Sequence, residues 1–477
     1  MPTTVIRNAD WVVTWDAGEG RHVYQRGADV AFADDRIVHV GPGYTGEAQE
    51  TIDGRDVMVM PGLVNVHAHP FVEPFYRGIR EEHGVPEMHM TGLYERGQAY
   101  RADPNDMATA AEVAYCELLL SGVTTLADVS AVYPGWLDIV ARSGLRAVLA
   151  PGFASSHWYM DNQHQLKFAW DEAAGRKGMD AALAYIGEAE AHPSGRLSGM
   201  VCPMQIDTCT PDLLTDAFAA AKERGLPYST HLSQSAVEFQ LMVDRHGKTP
   251  MQYADDLGIL DPITTLAHAI FIDQHSWVVW HSRDDLRLLA ESGSTVAHCP
   301  TPFVRYGHVL ESFGGYLKAG VNMGLGTDTA PHNLIEEMRY AIILGRVAAR
   351  DIRSVGAAEV FHAGTVGGAK ALLREDIGRL APGAKADLVL VDLSSEWMRP
   401  ARDPLRSLIY TAADRAVRDV YVDGEQVVKD RKVLTLDHTD ALGRLADAQA
   451  RIEADVPNHD YAGRTSLEIA PLSLPVV

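Results

Sequence analysis

The chain has 477 residues, with 42 Lys and Arg against 64 Asp and Glu, a formal net charge of -22. Hydrophobic residues make up 46% and charged residues 22%, the balance of a globular protein with an ample core. So acidic a chain repels phosphate backbones and its basic residues form no stripe, so no nucleic-acid partner is expected. Its four cysteines are scattered and form no CxxC, which excludes a disulfide framework. No apolar run is long enough to span a bilayer and no basic-then-apolar leader opens the sequence, so the expectation is a cytoplasmic protein with no membrane partner.

The first sixty residues divide into short β-rich segments, Thr4–Arg7, Trp11–Thr14, Ala28–Ala33 and Arg36–Val40, punctuated by Asp34-Asp35 and Gly41-Pro42-Gly43. Apolar strands then alternate with helical stretches such as Met107–Ser121, Pro211–Arg224 and Arg283–Ser292. The strands are Leu63–His69, Val123–Asp128, Arg146–Ala150, Gly199–Gln205, Pro227–His231, Ile263–His268, Ser294–His298 and Val321–Asp328. This alternation predicts an α/β fold built on a (β/α)8 TIM barrel, with reactive groups at the carboxyl ends of the strands. Lys385–Leu393 and Val417–Val428 return to apolar–polar alternation, the second around an Asp423-Gly424 turn. Each terminal β segment is too small to bury a core alone, so the two are expected to pair into one small β-sandwich. The expected organisation is therefore residues 1–60 as the first part of the sandwich, 61–378 as the barrel, 379–435 as the second part, and 436–477 as a C-terminal helix and tail. GTVGGAK, from Gly364 to Lys370, lacks the GK[ST] of a phosphate loop and is expected in a helix. No GxSxG supports a serine hydrolase.

The chemistry is carried by polar residues at strand ends. Twenty histidines make about one HxH tripeptide by chance, so His67-Ala68-His69 gains meaning only from its place. It ends an apolar strand, where residues two apart point the same way, so both imidazoles face one mouth of the barrel. His231, His268, His298 and Asp328 end four later strands, about one per βα unit. His67, His69, His231 and Asp328 form a His3Asp set suited to one divalent metal, most readily Zn2+, with Fe2+ or Mn2+ as alternatives.

The run Met60-Pro61-Gly62-Leu63-Val64-Asn65-Val66-His67-Ala68-His69, then Gly122-Val123-Thr124-Thr125, His231, His268 and Gly326-Thr327-Asp328, resembles the amidohydrolase superfamily. The likeness is to the branch of cytosine and guanine deaminases, adenosylhomocysteine-type deaminases and triazine hydrolases, and it spans nearly the whole chain. It implies that His67, His69, His231 and Asp328 hold the metal, that Asp328 carries protons, and that His268 hydrogen-bonds the activated water or the substrate. A bound metal of this kind lowers the pKa of its water toward neutrality. No carboxylated lysine presents itself at the fourth strand's end, where Met204-Gln205 stand, so a mononuclear site is expected. The likeness also suggests a homo-oligomer.

One position departs from the branch. Where it usually carries a proton-shuttling glutamate, this chain has Gln234, which can bind substrate but cannot transfer that proton. Glu238, one turn on, is expected to be a solvated helix residue. The expected activity is therefore metal-dependent hydrolysis of a non-peptide C–N bond, of amide, urea or carbamate type, in a small-molecule substrate. Deamination of a purine, pyrimidine, pterin or triazine ring is the alternative, and a catalytically silent binding protein a third. Gln234 and His298 are the expected substrate contacts. The loops bearing Glu73–Gly78, Ser156–Tyr159 and Phe303–Tyr306 are expected to wall the pocket, with Arg77 or Arg305 meeting either an anionic substrate or a surface carboxylate.

Overall fold

The computed structural model describes residues 3–79, 82, 84, 90–162 and 164–477. Eight parallel strand positions form the barrel, all at the places their apolar runs predict: β1 (Leu63–Ala68), β2 (Val123–Ser130), β3 (Arg146–Phe153), β4 (Leu197–Gly199 and Cys202–Pro203), β5 (Tyr228–Leu232), β6 (Thr264–His268), β7 (Thr295–His298) and β8 (Asn322–Leu325). They hydrogen-bond in order within two arcs, β1 to β4 and β5 to β8. Parallel bridges Ala68↔Asp328 on one side and Val201↔Tyr228 and Gln205↔His231 on the other join the arcs. These closing bridges involve residues of the predicted site, so ring closure itself sets Asp328 beside the β1 histidines and Gln205 beside His231. Val64, Val66, Ala127, Val129, Val148, Ala150 and Ala297 pack inside the barrel, whose interior is a core and not a pore.

The terminal β segments pair as expected, through Val57–Pro61, a strand the sequence pattern does not reveal. Val57–Pro61 lies in a seven-stranded sheet between Leu388–Asp392 and Trp11–Asp16, with Val59 opposite Leu390 and Val12. Val417–Val422 and Glu425–Lys429 extend that sheet, while Thr3–Ala9, Ala28–Ala33, Arg36–Gly41 and Glu50–Asp53 form a second, four-stranded one. A buried apolar layer that includes Ile6, Val30, Phe32, Val59, Leu388 and Leu390 fills the space between. Gly62 alone separates the sandwich strand from β1, and a Cβ there would lie 2.1 Å from Thr124 Oγ1. Arg146, almost fully buried at the start of β3, ties the two units by donating to Asp387 at 3.1 Å and to Asp423.

Pro211–Arg224 forms as predicted: Thr210 caps it, Pro211 opens it, and Gly225 closes it at φ +67°. GTVGGAK lies in the helical segment 363–371. The C-terminal helix runs from His438 to His459 and packs Ala441, Leu445, Ala448 and Ile452 against Phe75, Tyr100 and Ala110. Its Gln449 donates 2.7 Å bonds to the carbonyls of Phe75 and Arg77, so this helix braces the loop that follows β1. Among the described residues no helix is long and apolar enough to cross a membrane.

Candidate metal centre

The four expected ligands and His268 converge at the carboxyl end of the barrel. Nε2 of His67 and of His69 lie 3.3 and 3.2 Å from Asp328 Oδ1, and His69 Nε2 lies 3.3 Å from His231 Nε2. One candidate atom from each of His67, His69 and His231 lies within 4.8 Å of the others, and so do atoms of His67, His268 and Asp328. Two of these rings are oriented from behind. His69 Nδ1 faces the Val129 carbonyl at 2.7 Å and His231 Nδ1 faces the Met204 carbonyl at 2.6 Å, which leaves each Nε2 turned inward.

The donor set fits a divalent ion. Nδ1 of buried His67 has no hydrogen-bond partner among the described residues and its Nε2 meets Asp328 at 3.3 Å, although buried polar atoms are normally satisfied. Burial holds His67 and His231 below the usual imidazole range, as the neutral ligand form requires. Burial would push Asp328 upward, but His67 and His69 outweigh it and hold the carboxyl well below its usual value. Asp328 and His268 adopt φ of +59° and +85°, left-handed values that non-glycine residues seldom take and that recur at functional sites. The peptide N–H of Asp328 donates to the His67 carbonyl and that of His69 to the Asp328 carbonyl, which over-determines the first of these turns.

A cavity of about 650 Å³ opens onto this cluster. His69, His231, His268 and Asp328 form part of its floor, and Gln205 and Gln234 lie along one side. The predicted loops contribute Glu73, Tyr76, His157, Trp158, Phe303 and Tyr306. A further wall that the sequence pattern does not mark, residues 90–107, adds Tyr94, Arg96 and Tyr100. Helix Thr91–Ala99 buries Glu95 and Arg96 along with its apolar groups, so no hydrophobic stripe marks it.

His298 and Glu238 stand elsewhere than the sequence suggests, while Arg77 meets a carboxylate, one of its two expected roles. His298 lines a separate small pocket with Cys299, Val304 and His308, and Phe303 borders both spaces. Burial drives His298 to about 3. Arg77 is paired with Glu117, and Arg305 donates to the Ala330 carbonyl at 2.9 Å. Glu238 is not solvated: it is 1% exposed, and its carboxylate turns back to accept the N–H groups of Ser233 at 2.6 Å and Gln234 at 2.9 Å. Ser235 caps the helix Ala236–His246, and this brings the Glu238 side chain over the preceding turn. Glu238 does not line the cavity, so it supplies no substitute for an acid at position 234.

Residues 58–427 match the amidohydrolase family model. The chain is 30% identical to a 5-methylthioadenosine/S-adenosylhomocysteine deaminase of Natronomonas pharaonis over 90% of this chain and 96% of that protein. It is 29% identical to a 5'-deoxyadenosine deaminase of Methanosarcina mazei over 96% of this chain and all of that one. Two solved structures share the fold. An atrazine chlorohydrolase from Arthrobacter aurescens complexed with zinc superposes with a TM-score of 0.81 at 23% identity, over 94% of this chain and 100% of its own. An adenosine deaminase from Xanthomonas campestris with bound zinc gives 0.79 at 25%, over 94% and 98%. With a barrel that gathers His67, His69, His231, His268 and Asp328 at its carboxyl end, and a family model that matches most of its length, the chain belongs to the amidohydrolase family and is a hydrolase of C–N bonds.

Proposed function

We propose that this chain hydrolyses a non-peptide C–N bond of a small molecule at a single divalent metal, most readily Zn2+, and releases ammonia or an amine. The observation that carries the reading is the gathering of His67, His69 and His231 within 4.8 Å of one another, with Asp328 3.3 and 3.2 Å from His67 and His69, at a cavity sized for a small molecule. Zinc is supported by the bound zinc of the Xanthomonas campestris relative and by the imidazole-rich donor set. A single ion is supported by the end of β4, where Met204 and Gln205 offer no carboxylate or lysine to hold a second.

His67, His69, His231 and Asp328 would hold the metal, which when bound would supply a water that ionises near neutral pH. Asp328 then takes the proton from the nucleophile and delivers it to the departing nitrogen. His268, which lines the same cavity as Gln234 and is driven to about 3 by burial, is a neutral donor for the oxygen that gains charge at the tetrahedral carbon. With a carboxamide at position 234, no acid there protonates a ring nitrogen. An amide, urea, carbamate or cyclic ureide, which needs no such proton, therefore comes first.

Ring deamination is the second reading, favoured by the deaminase names of the relatives that match nearly the whole chain. The proposal extends to a cytoplasmic homo-oligomer, supported by family likeness and tested by light scattering. The deciding experiment screens the zinc-loaded protein against ureas, amides, carbamates and amino-substituted heterocycles for ammonia or amine release. Turnover confined to amino-heterocycles would replace the first reading by the second. Absence of turnover across the panel would refute both.

A further inference from the structure

Gln205 and Gln234 are 29 residues apart in sequence, yet Gln234 Nε2 lies 2.7 Å from Gln205 Oε1 at the cavity wall. That bond uses one polar atom of each carboxamide. Gln234 Oε1 and Gln205 Nε2 have no hydrogen-bond partner among the described residues, and neither is a buried orphan. If both amides are turned over, the pair exchanges roles and still presents one acceptor and one donor side by side. This property follows from the chemistry of two paired carboxamides and not from the way either amide is placed.

The surroundings hold the pair in place. Gln205 closes the barrel through its parallel bridge to His231, a predicted ligand. The Gln234 peptide is pinned by Glu238, whose own N–H is capped by Ser235, and Ser235 lies 3.0 Å from the Tyr94 hydroxyl. Two residues beyond Gln205, Asp207 accepts the Trp158 indole N–H at 3.1 Å and fixes an aromatic wall of the same cavity.

Resting on the hydrolase reading above, we infer that Gln205 and Gln234 act as one recognition unit for a substrate whose planar edge sets an N–H beside a C=O, as in a cyclic ureide or lactam. Such an edge pairs with the two carboxamides by two hydrogen bonds with no movement of a proton. A site built to satisfy both groups rejects an analogue that leaves them unpaired. An amino-heterocycle edge, N beside NH2, matches the same donor–acceptor pair, and the experiment separates the two.

Calorimetric binding to the zinc-loaded protein is measured with uracil, 1,3-dimethyluracil and adenine as probes. The wild type is expected to bind uracil at least tenfold more tightly than 1,3-dimethyluracil, with adenine weaker than uracil. Gln205→Leu and Gln234→Leu should each bring the uracil preference to within twofold of unity, and the double variant should lose no more than either alone. Gln234→Glu keeps the volume but turns the pair into two acceptors. It should weaken uracil at least tenfold and strengthen methylguanidinium, which offers two donors, a reversal that mere loosening of the fold would not produce. An unchanged uracil preference in both leucine variants, or no gain for methylguanidinium in Gln234→Glu, overturns the inference. Adenine binding more tightly than uracil, with the same dependence on both glutamines, overturns the N–H/C=O assignment. A blank turnover panel with the uracil preference intact would count against the hydrolase reading alone. Turnover with no glutamine dependence would count against the recognition unit alone.

Discussion

Replacing Glu238 tests whether a buried carboxylate holds the turn that carries Gln234. Its two oxygens accept the peptide N–H groups of Ser233 and Gln234, and Ser233 sits at φ +56°. The Ser233 carbonyl in turn accepts the N–H groups of Ile270 and Phe271, each at 2.9 Å, in the segment that follows His268. One side chain therefore steadies the ends of both β5 and β6. Each buried N–H left without a partner costs about 1–3 kcal/mol, so Glu238→Ala should destabilise by roughly 2–6 kcal/mol. Glu238→Gln retains one acceptor and turns an amide N–H toward the other donor, at a cost of about 1–3 kcal/mol.

Thermal unfolding with saturating metal reads the series. Each kcal/mol corresponds to on the order of 1–3 °C in a chain of this length. The glutamine variant should fall between wild type and alanine, and both should bind a Gln234-dependent ligand more weakly. Burial, with Asp207 adding to it, pushes the Glu238 carboxyl above the usual range. Raising the pH above the unfolded value therefore removes stability from the wild type and not from Glu238→Gln, so the gap between them should narrow as pH rises. An alanine variant with wild-type Tm and ligand affinity would refute the role assigned to this carboxylate.

Other consequences are equally direct. Arg146→Met takes the guanidinium from buried Asp387 and leaves Asp423 only Lys385 at the sandwich–barrel junction, and breaking a buried pair in this way should cost about 3–5 kcal/mol; a loss under about 1 kcal/mol by the same unfolding assay would contradict it. Asp285, buried beside Asp273, is raised from 3.8 to about 7, so the fold loses stability as pH climbs through that window, by up to about 4 kcal/mol. Asp285→Asn should abolish that slope, and an unchanged slope would place the titration elsewhere. Removing metal with a chelator should end turnover and one equivalent per chain should restore it, as counted by elemental analysis; a requirement for two equivalents would end the mononuclear reading. Asp328→Asn should lower kcat at least about a thousandfold with the far-ultraviolet circular dichroism unchanged, and retained turnover would remove its part as proton carrier.

The barrel was legible because each of its strands is buried on every side and writes itself as an apolar run stopped by a polar residue. Ile263–His268 was expected and Thr264–His268 forms. The sandwich was harder. Arg21–Gln25 is partly exposed throughout, and Val57–Pro61 finds its partner Leu388–Asp392 more than three hundred residues away, a pairing that no local periodicity encodes. Glu238 departs from its sequence pattern for a related reason. A glutamate in the first turn of a helix capped by serine is ordinarily a surface group, but here the turn at Ser233, whose carbonyl is bound by the segment after β6, buries the peptide groups that its oxygens accept.

Gln234 shows how the two kinds of information combine. From sequence it stands out by what it lacks, since a carboxamide cannot shuttle the proton that a carboxylate can. That absence says what position 234 does not do, and nothing in the local pattern connects it with Gln205, which drew notice only as a place where no lysine stands. Closure of the barrel supplies the connection. The bridge Gln205↔His231 joins the fourth strand to the fifth and sets two carboxamides 2.7 Å apart, each with one polar atom to spare. A glutamate at 234 beside Gln205 would present two acceptors, whereas the glutamine presents a donor beside an acceptor. The same substitution that removes a proton shuttle thus alters which edge of a substrate the wall can read, and the two effects separate experimentally because one moves kcat and the other moves affinity.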